Sequence, residues 1–75
     1  MMLDAVEWRV LSYLSIMNIE REVTANTIRI ALALREDILN EALQRLKDRE
    51  LVSTIPGEDG VCYRIMDEGK RQLRR

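Results

Sequence analysis

The sequence predicts a mainly α fold with one small β-hairpin: a three-helix core, then the hairpin, then a short C-terminal helix, in a single domain over 1–75. Three observations predict it. Apolar residues recur at steps of three and four through most of the first fifty positions. Two short runs rich in β-branched residues then flank a stretch dense in Gly, Pro and Asp. A polar segment opened by Asp67 closes the chain.

The elements follow in order. In residues 3–17, "LDAVEWRVLSYLSIM", Leu3, Val6, Val10, Leu14 and Met17 fall on one helical face. Val23 and Thr24 break that pattern, and the Thr24 hydroxyl is placed to cap the next helix by accepting from an amide one turn on. The second helix runs to about Leu32, with Ile28 and Leu32 pointing inward. The third spans 35–49, with Ile38, Leu39, Ala42, Leu43 and Leu46 as its apolar stripe. "LVSTI" (51–55) and "VCYRI" (61–65) predict two strands around the five-residue loop "PGEDG", with Val61, Tyr63 and Ile65 on one side. Asp67 is expected to cap the last helix, "EGKRQLRR".

Composition narrows the function. The chain is 47% hydrophobic and 33% charged, which is globular rather than disordered. It contains no apolar run near membrane-spanning length and no N-terminal basic segment leading into an apolar core, so neither a membrane span nor a signal peptide is expected. Cys62, the single cysteine, has no internal partner, consistent with a reducing cytoplasmic setting, and nothing near it in sequence marks it as reactive. Without histidine, a Gly-rich phosphate loop, metal-ligand spacing or a nucleophile beside a base, the sequence predicts no enzyme, metal or cofactor. A net charge of −1 gives no general attraction to nucleic acid, so DNA binding would need a local patch.

Two stretches carry a family resemblance. "TANTIRIALALREDILNEALQRLKDRELV" (24–52) and "YRIMDEGKRQL" (63–73) resemble the winged helix-turn-helix family, particularly compact bacterial and archaeal transcriptional regulators. Residues 24–52 resemble the family's second helix, turn, recognition helix and exit into the wing. Residues 63–73 resemble its closing strand and acidic-Gly turn into the last helix. The resemblance implies a three-helix core with a wing, and helix 35–49 as the recognition helix. Three positions depart from the pattern. Ala33 stands where the helix-to-helix turn usually has glycine, Arg29 where a small residue packs on the recognition helix, and Glu50 where glycine often ends that helix.

On the third helix, Asp37, Asn40, Glu41, Gln44 and Asp48 lie opposite the apolar stripe, with Glu36 and Lys47 on one shoulder and Arg45 on the other. Asn and Gln can pair with an adenine edge, and Arg with guanine. Arg35, Asn40 and Gln44 are therefore candidate base readers of double-stranded DNA, with Arg45, Lys47 and Arg64 near its backbone. The acids have a structural explanation: Glu36 and Asp37 complement the positive end of the helix, and Glu41 is spaced to pair with Arg45. The wing tip, Glu58-Asp59, is acidic where a DNA-binding wing usually offers a base. Lys70, Arg71, Arg74 and Arg75 form a basic C-terminal cluster that suits a helix end.

Trp8 points away from the first helix's apolar stripe, among Met1, Ala5, Ser12 and Ser15. A tryptophan flanked by small residues suits close approach of another helix. Ala5, Trp8, Ser12 and Ser15 are thus the candidate homodimer interface. Two functions are consistent with these features: a small dimeric DNA-binding transcriptional regulator, and a protein-binding winged-helix module or subunit of a larger complex.

Overall fold

The computed structural model describes residues 2–74, so Met1, expected beside Trp8, and Arg75, expected in the basic cluster, lie outside the described residues. Helix α1 (Ala5–Met17) opens on a capping box. The Asp4 carboxylate accepts from the Glu7 N–H at 2.7 Å, and the Glu7 carboxylate accepts from the Asp4 N–H at 2.9 Å. Strand β1 (Val23–Thr24) leads directly into α2 (Ala25–Leu32), whose first turn is capped as expected: the Thr24 hydroxyl accepts from the Thr27 N–H at 3.2 Å. Helix α3 (Glu36–Asp48), the hairpin β2 (Val52–Gly57) and β3 (Gly60–Ile65), and α4 (Asp67–Leu73) complete the chain.

The three strands form one antiparallel sheet in the order β1-β3-β2. Strand β1 is absent from the sequence expectation. Two residues cannot display a period, and their partners, Tyr63 and Cys62, lie far along the chain. The hairpin is also tighter than expected. Pairing continues through Pro56↔Val61 to Gly57↔Gly60, which leaves Glu58 and Asp59 alone in the turn. Gly60, at φ 121°, takes a conformation that other residues rarely adopt.

One core joins the layers: Val10, Leu11 and Leu14 of α1, Ile28 of α2, Leu39, Leu43 and Leu46 of α3, and Val23, Leu51, Val52 and Ile65 around the sheet. The expected α1 stripe is rotated. Glu7 and Leu11 are buried, whereas Leu3, Val6 and Met17 pack at the margin. Ile38, expected inward, is 37% exposed, because it sits at the edge of the α3 stripe. Val61 is 52% exposed although it shares a strand face with Tyr63 and Ile65, since it lies next to the wing tip. Asp67 does not cap α4: Met66 holds the cap position without a side-chain bond, and Asp67 is the first helical residue. The closing helix comes very near the chain that leaves α3. A Cβ on Gly69 would overlap the Leu51 carbonyl oxygen and crowd the Ile65 side chain, so only glycine fits there.

Helices α2 and α3 close in the same way at their C-termini. The Leu34 N–H reaches the Arg29 carbonyl at 3.0 Å and the Ala33 N–H reaches that of Ile30 at 3.3 Å. The Leu51 N–H reaches the Leu46 carbonyl at 2.9 Å and the Glu50 N–H reaches that of Lys47 at 3.0 Å. These paired bonds define Schellman caps, which need a left-handed residue after the last turn. Ala33 (φ 53°) and Glu50 (φ 61°) supply it without being glycine.

Candidate nucleic-acid interface

Helix α3 begins at Glu36 after an extended Arg35, with no side-chain cap. Two acids in its first turn, Glu36 and Asp37, put negative charge near its unpaired N–H groups instead. Burial of Leu39, Ala42, Leu43 and Leu46 fixes which side remains outside. Glu36, Asp37, Asn40, Glu41, Gln44, Lys47 and Asp48 are all exposed.

The candidate residues divide into three places. Arg35 and Asn40 line one shallow cleft together with Glu36 and Asp37, and the Arg35 guanidinium lies 3.1 Å from the Asp37 carboxylate. Lys47 and Arg64 line a second groove, of 850 Å³, between the end of α3, β2 and α4. Gln44 is exposed on α3 between these two, and its amide donates to Asp48 at 2.9 Å. Arg64 is ion-paired with Glu22, whose carboxyl it holds below the ordinary range through their hydrogen bond. Lys47 makes no ion pair among the described residues.

Arg45 is placed elsewhere. Its guanidinium turns toward α1, donating to Glu7 at 3.0 Å and to Asp4 at 3.1 Å. The hydrogen bond to Glu7, and the nearby charges of Asp4, Glu7 and Glu41, raise its pKa further above its already high value. Its ion-pair partners are thus Glu7 of α1 and Asp4 at its N-cap, and the expected pairing with Glu41 is replaced by these contacts. Arg29 joins the site without having been expected there. This half-buried side chain bonds Asn26 at 2.9 Å and lines a cavity between α2 and α3 beside Glu36, Leu39 and Asn40. Its one signal in the sequence is a large base at a seam expected to hold a small residue.

On α1, Trp8 is 43% exposed, Ala5 is exposed, and Ser12 and Ser15 are half-buried. Ser15 spends its hydroxyl on the Ser12 carbonyl of its own helix at 2.7 Å. Ile16 and Ile19, outside the face expected from the sequence, are strongly exposed in the same part of the molecule. No helix among the described residues is long and apolar enough to cross a membrane.

A helical core whose second and third helices are joined by a tight turn, followed by a two-stranded wing, is the winged helix-turn-helix fold. No protein-family model matches the sequence, and no curated protein matches it. Among solved structures, the chain is similar to the PcaV transcriptional regulator of Streptomyces coelicolor in complex with its natural ligand. The TM-score is 0.85 at 24% identity, over 97% of this chain and 52% of that one. It is similar to a mutant of E. coli MarR complexed with operator DNA, with a TM-score of 0.85 at 19% identity, over 96% and 51% of the two chains. A mutant of S. aureus MepR bound to an oligodeoxyribonucleotide gives a TM-score of 0.88 at 16% identity, over 96% and 54%. The chain therefore spans about half the length of these regulators. Ala33, Arg29 and Glu50 leave the arrangement of the helices recognisably theirs.

Proposed function

We propose that the protein is a DNA-binding transcriptional regulator that acts as a small dimer and reads double-stranded DNA with α3. The observation that carries this reading is the exposed row on α3, in which Asn40 and Gln44 stand one turn apart on a helix whose opposite face is buried. That two of the similar structures hold DNA supports it. Arg35, Asn40 and Gln44 meet base edges in this reading. Lys47 and Arg64 lie toward the backbone, Arg29 joins them at the α2–α3 seam, and Arg45 is left to α1. The Ala5, Trp8, Ser12 and Ser15 face, extended by Ile16, joins the two copies.

The test is selection from random duplexes, followed by titration at two salt concentrations. A preferred duplex is expected, with affinity falling as salt rises. Asn40→Ala and Gln44→Ala should each relax preference at a separate base position, at about 1–3 kcal/mol. If no duplex is preferred, or if both variants bind the selected site as wild type does, α3 is not a reader. Sedimentation at micromolar concentration checks the dimer, which Trp8→Ala should shift toward monomer with helical content retained.

A second reading rests on the acidic wing tip, Glu58-Asp59, with Glu36, Asp37, Glu41 and Asp48 exposed on α3. That distribution suits a basic protein surface better than phosphate. A stable protein partner lost on α3 substitution, with no duplex preference, would favour it.

A further inference from the structure

We infer that Glu7 is the positioning residue of the reading helix: its buried carboxylate sets the axial and rotational placement of α3 against α1. The inference rests on the DNA-reading role of α3 for its consequence, but not for its geometry.

Glu7 is 2% exposed, the one acid among the buried polar residues described. A carboxylate withdrawn from water to that extent needs compensating charge and hydrogen bonds. Both its oxygens are used. Oε1 accepts from the Asp4 N–H at 2.9 Å, which anchors the acid to the start of its own helix. Oε2 accepts from Arg45 Nε at 3.0 Å and from Arg49 Nη1 at 3.2 Å. Asp4 adds a second contact to Arg45 at 3.1 Å. Two acids and two arginines make a cluster without net charge.

The two arginines stand four residues apart, so the bonds grip α3 and its C-cap at points about 6 Å apart along the helix axis. One contact would still permit rotation about it. Two, spaced along the helix and meeting at one oxygen, limit both translation and twist. The leucine packing beneath is nearly non-directional and tolerates small shifts, whereas a bond to one carboxylate oxygen does not. Because Gln44 and Asn40 project from the other side of the same rigid rod, a small change in twist at Arg45 carries them across a base edge. The cluster explains why a basic side chain on the recognition helix is turned away from the candidate DNA face.

The test uses Glu7→Gln, which keeps size and an oxygen for the Asp4 N–H but removes the charge that holds the arginines. Val10→Ala, a core truncation in the same helix, serves as a comparison that destabilises without touching the cluster. All measurements are made well below each variant's melting point. Spin labels at Arg9→Cys and Glu41→Cys, both exposed positions outside the proposed dimer face, in a Cys62→Ser background, report the α1–α3 distance. The distribution should broaden or shift in Glu7→Gln and stay as in the parent in Val10→Ala. With DNA, the ratio of affinities for selected and scrambled duplexes should fall about tenfold in Glu7→Gln and hold in Val10→Ala. An unchanged distance distribution in folded Glu7→Gln overturns the inference. So does an equal change in both variants, which would reduce Glu7 to a general contributor to stability. If the distribution changes while wild type prefers no duplex, the positioning stands and the DNA-reading role fails.

Discussion

The caps at Ala33 and Glu50 make an unusual stability prediction, in which glycine strengthens the protein. Both residues hold a left-handed backbone, at φ 53° and φ 61°, and both side chains are exposed. An L-residue in that region costs roughly 1–2 kcal/mol. Glycine removes this cost but loses about 0.5–1 kcal/mol through the greater freedom of its unfolded chain. The net expectation for Ala33→Gly or Glu50→Gly is a gain of about 0.5–1 kcal/mol each. For a domain of this size that corresponds to a rise in Tm of about 2–8 °C. Glu41→Gly provides the internal contrast. It is the same chemical change as Glu50→Gly, at an exposed position inside the regular α-helix that Glu50 follows. There it should lose about 1 kcal/mol. Thermal melts followed by circular dichroism measure all three. Loss of stability at position 50 comparable to that at 41 would refute the reasoning, since it would mean that the backbone at 50 carries no strain that glycine relieves.

Three other outcomes are expected. Gly69→Ala should destabilise by about 1–3 kcal/mol, because the added methyl overlaps the Leu51 carbonyl oxygen and comes within 2.9 Å of the Ile65 side chain; a melt equal to wild type would show that α4 can move away at little cost. Replacing Glu36 by Gln and Asp37 by Asn together should lower stability by on the order of 1 kcal/mol through loss of charge at the α3 N-terminus. Non-specific DNA affinity should rise in the same variant if the carboxylates lie near phosphate, and unchanged affinity would shift weight to the protein-binding reading. The Glu22–Arg64 pair depresses the Glu22 pKa from 4.5, so its contribution is present above that unfolded value and is lost as pH falls through the lower folded one. The stability gap between wild type and Glu22→Gln should accordingly close on acidification, and a gap that widens would contradict the pairing.

What the sequence makes legible depends on distance along the chain. The three helices show a 3.6-residue period within themselves, and the wing shows β-branched alternation around turn residues, so each can be read locally. The candidate readers Asn40 and Gln44 also follow from one helix's periodicity. Strand β1 does not, because a two-residue strand exists only through its pairing with Tyr63 and Cys62. Glu7 is illegible for a similar reason. It lies one step from the apolar stripe, and what makes its burial tolerable is a pair of arginines 38 and 42 residues away. A helical wheel puts Arg45 on a shoulder and so on the DNA side, but only the tertiary partner decides which way the guanidinium turns. The Asp67 expectation fails on a one-residue boundary, which capping propensity alone does not resolve.

The acids around α3 have a shared property that bears on its near-neutral surroundings. Arg35 is held by Asp37, Gln44 by Asp48, Arg64 by Glu22 and Arg45 by Glu7. The first three arrangements, two ion pairs and one amide–carboxylate hydrogen bond, are solvent-exposed and individually weak. They are weak enough for a base or phosphate to displace, yet they orient each side chain beforehand, and the two ion pairs also offset the charge of Arg35 and Arg64. On the DNA-binding reading, the surface gains little from counterion release at random sequence, and affinity depends more heavily on correct base contacts. The fourth pairing differs in kind, because the Glu7 carboxylate is buried and its loss would leave Arg45 and Arg49 without their shared anchor. Carboxylates beside the contact helix therefore divide by burial. On the DNA-binding reading the exposed ones moderate what the helix binds, while the buried one, through Arg45 and Arg49, ties α3 to α1.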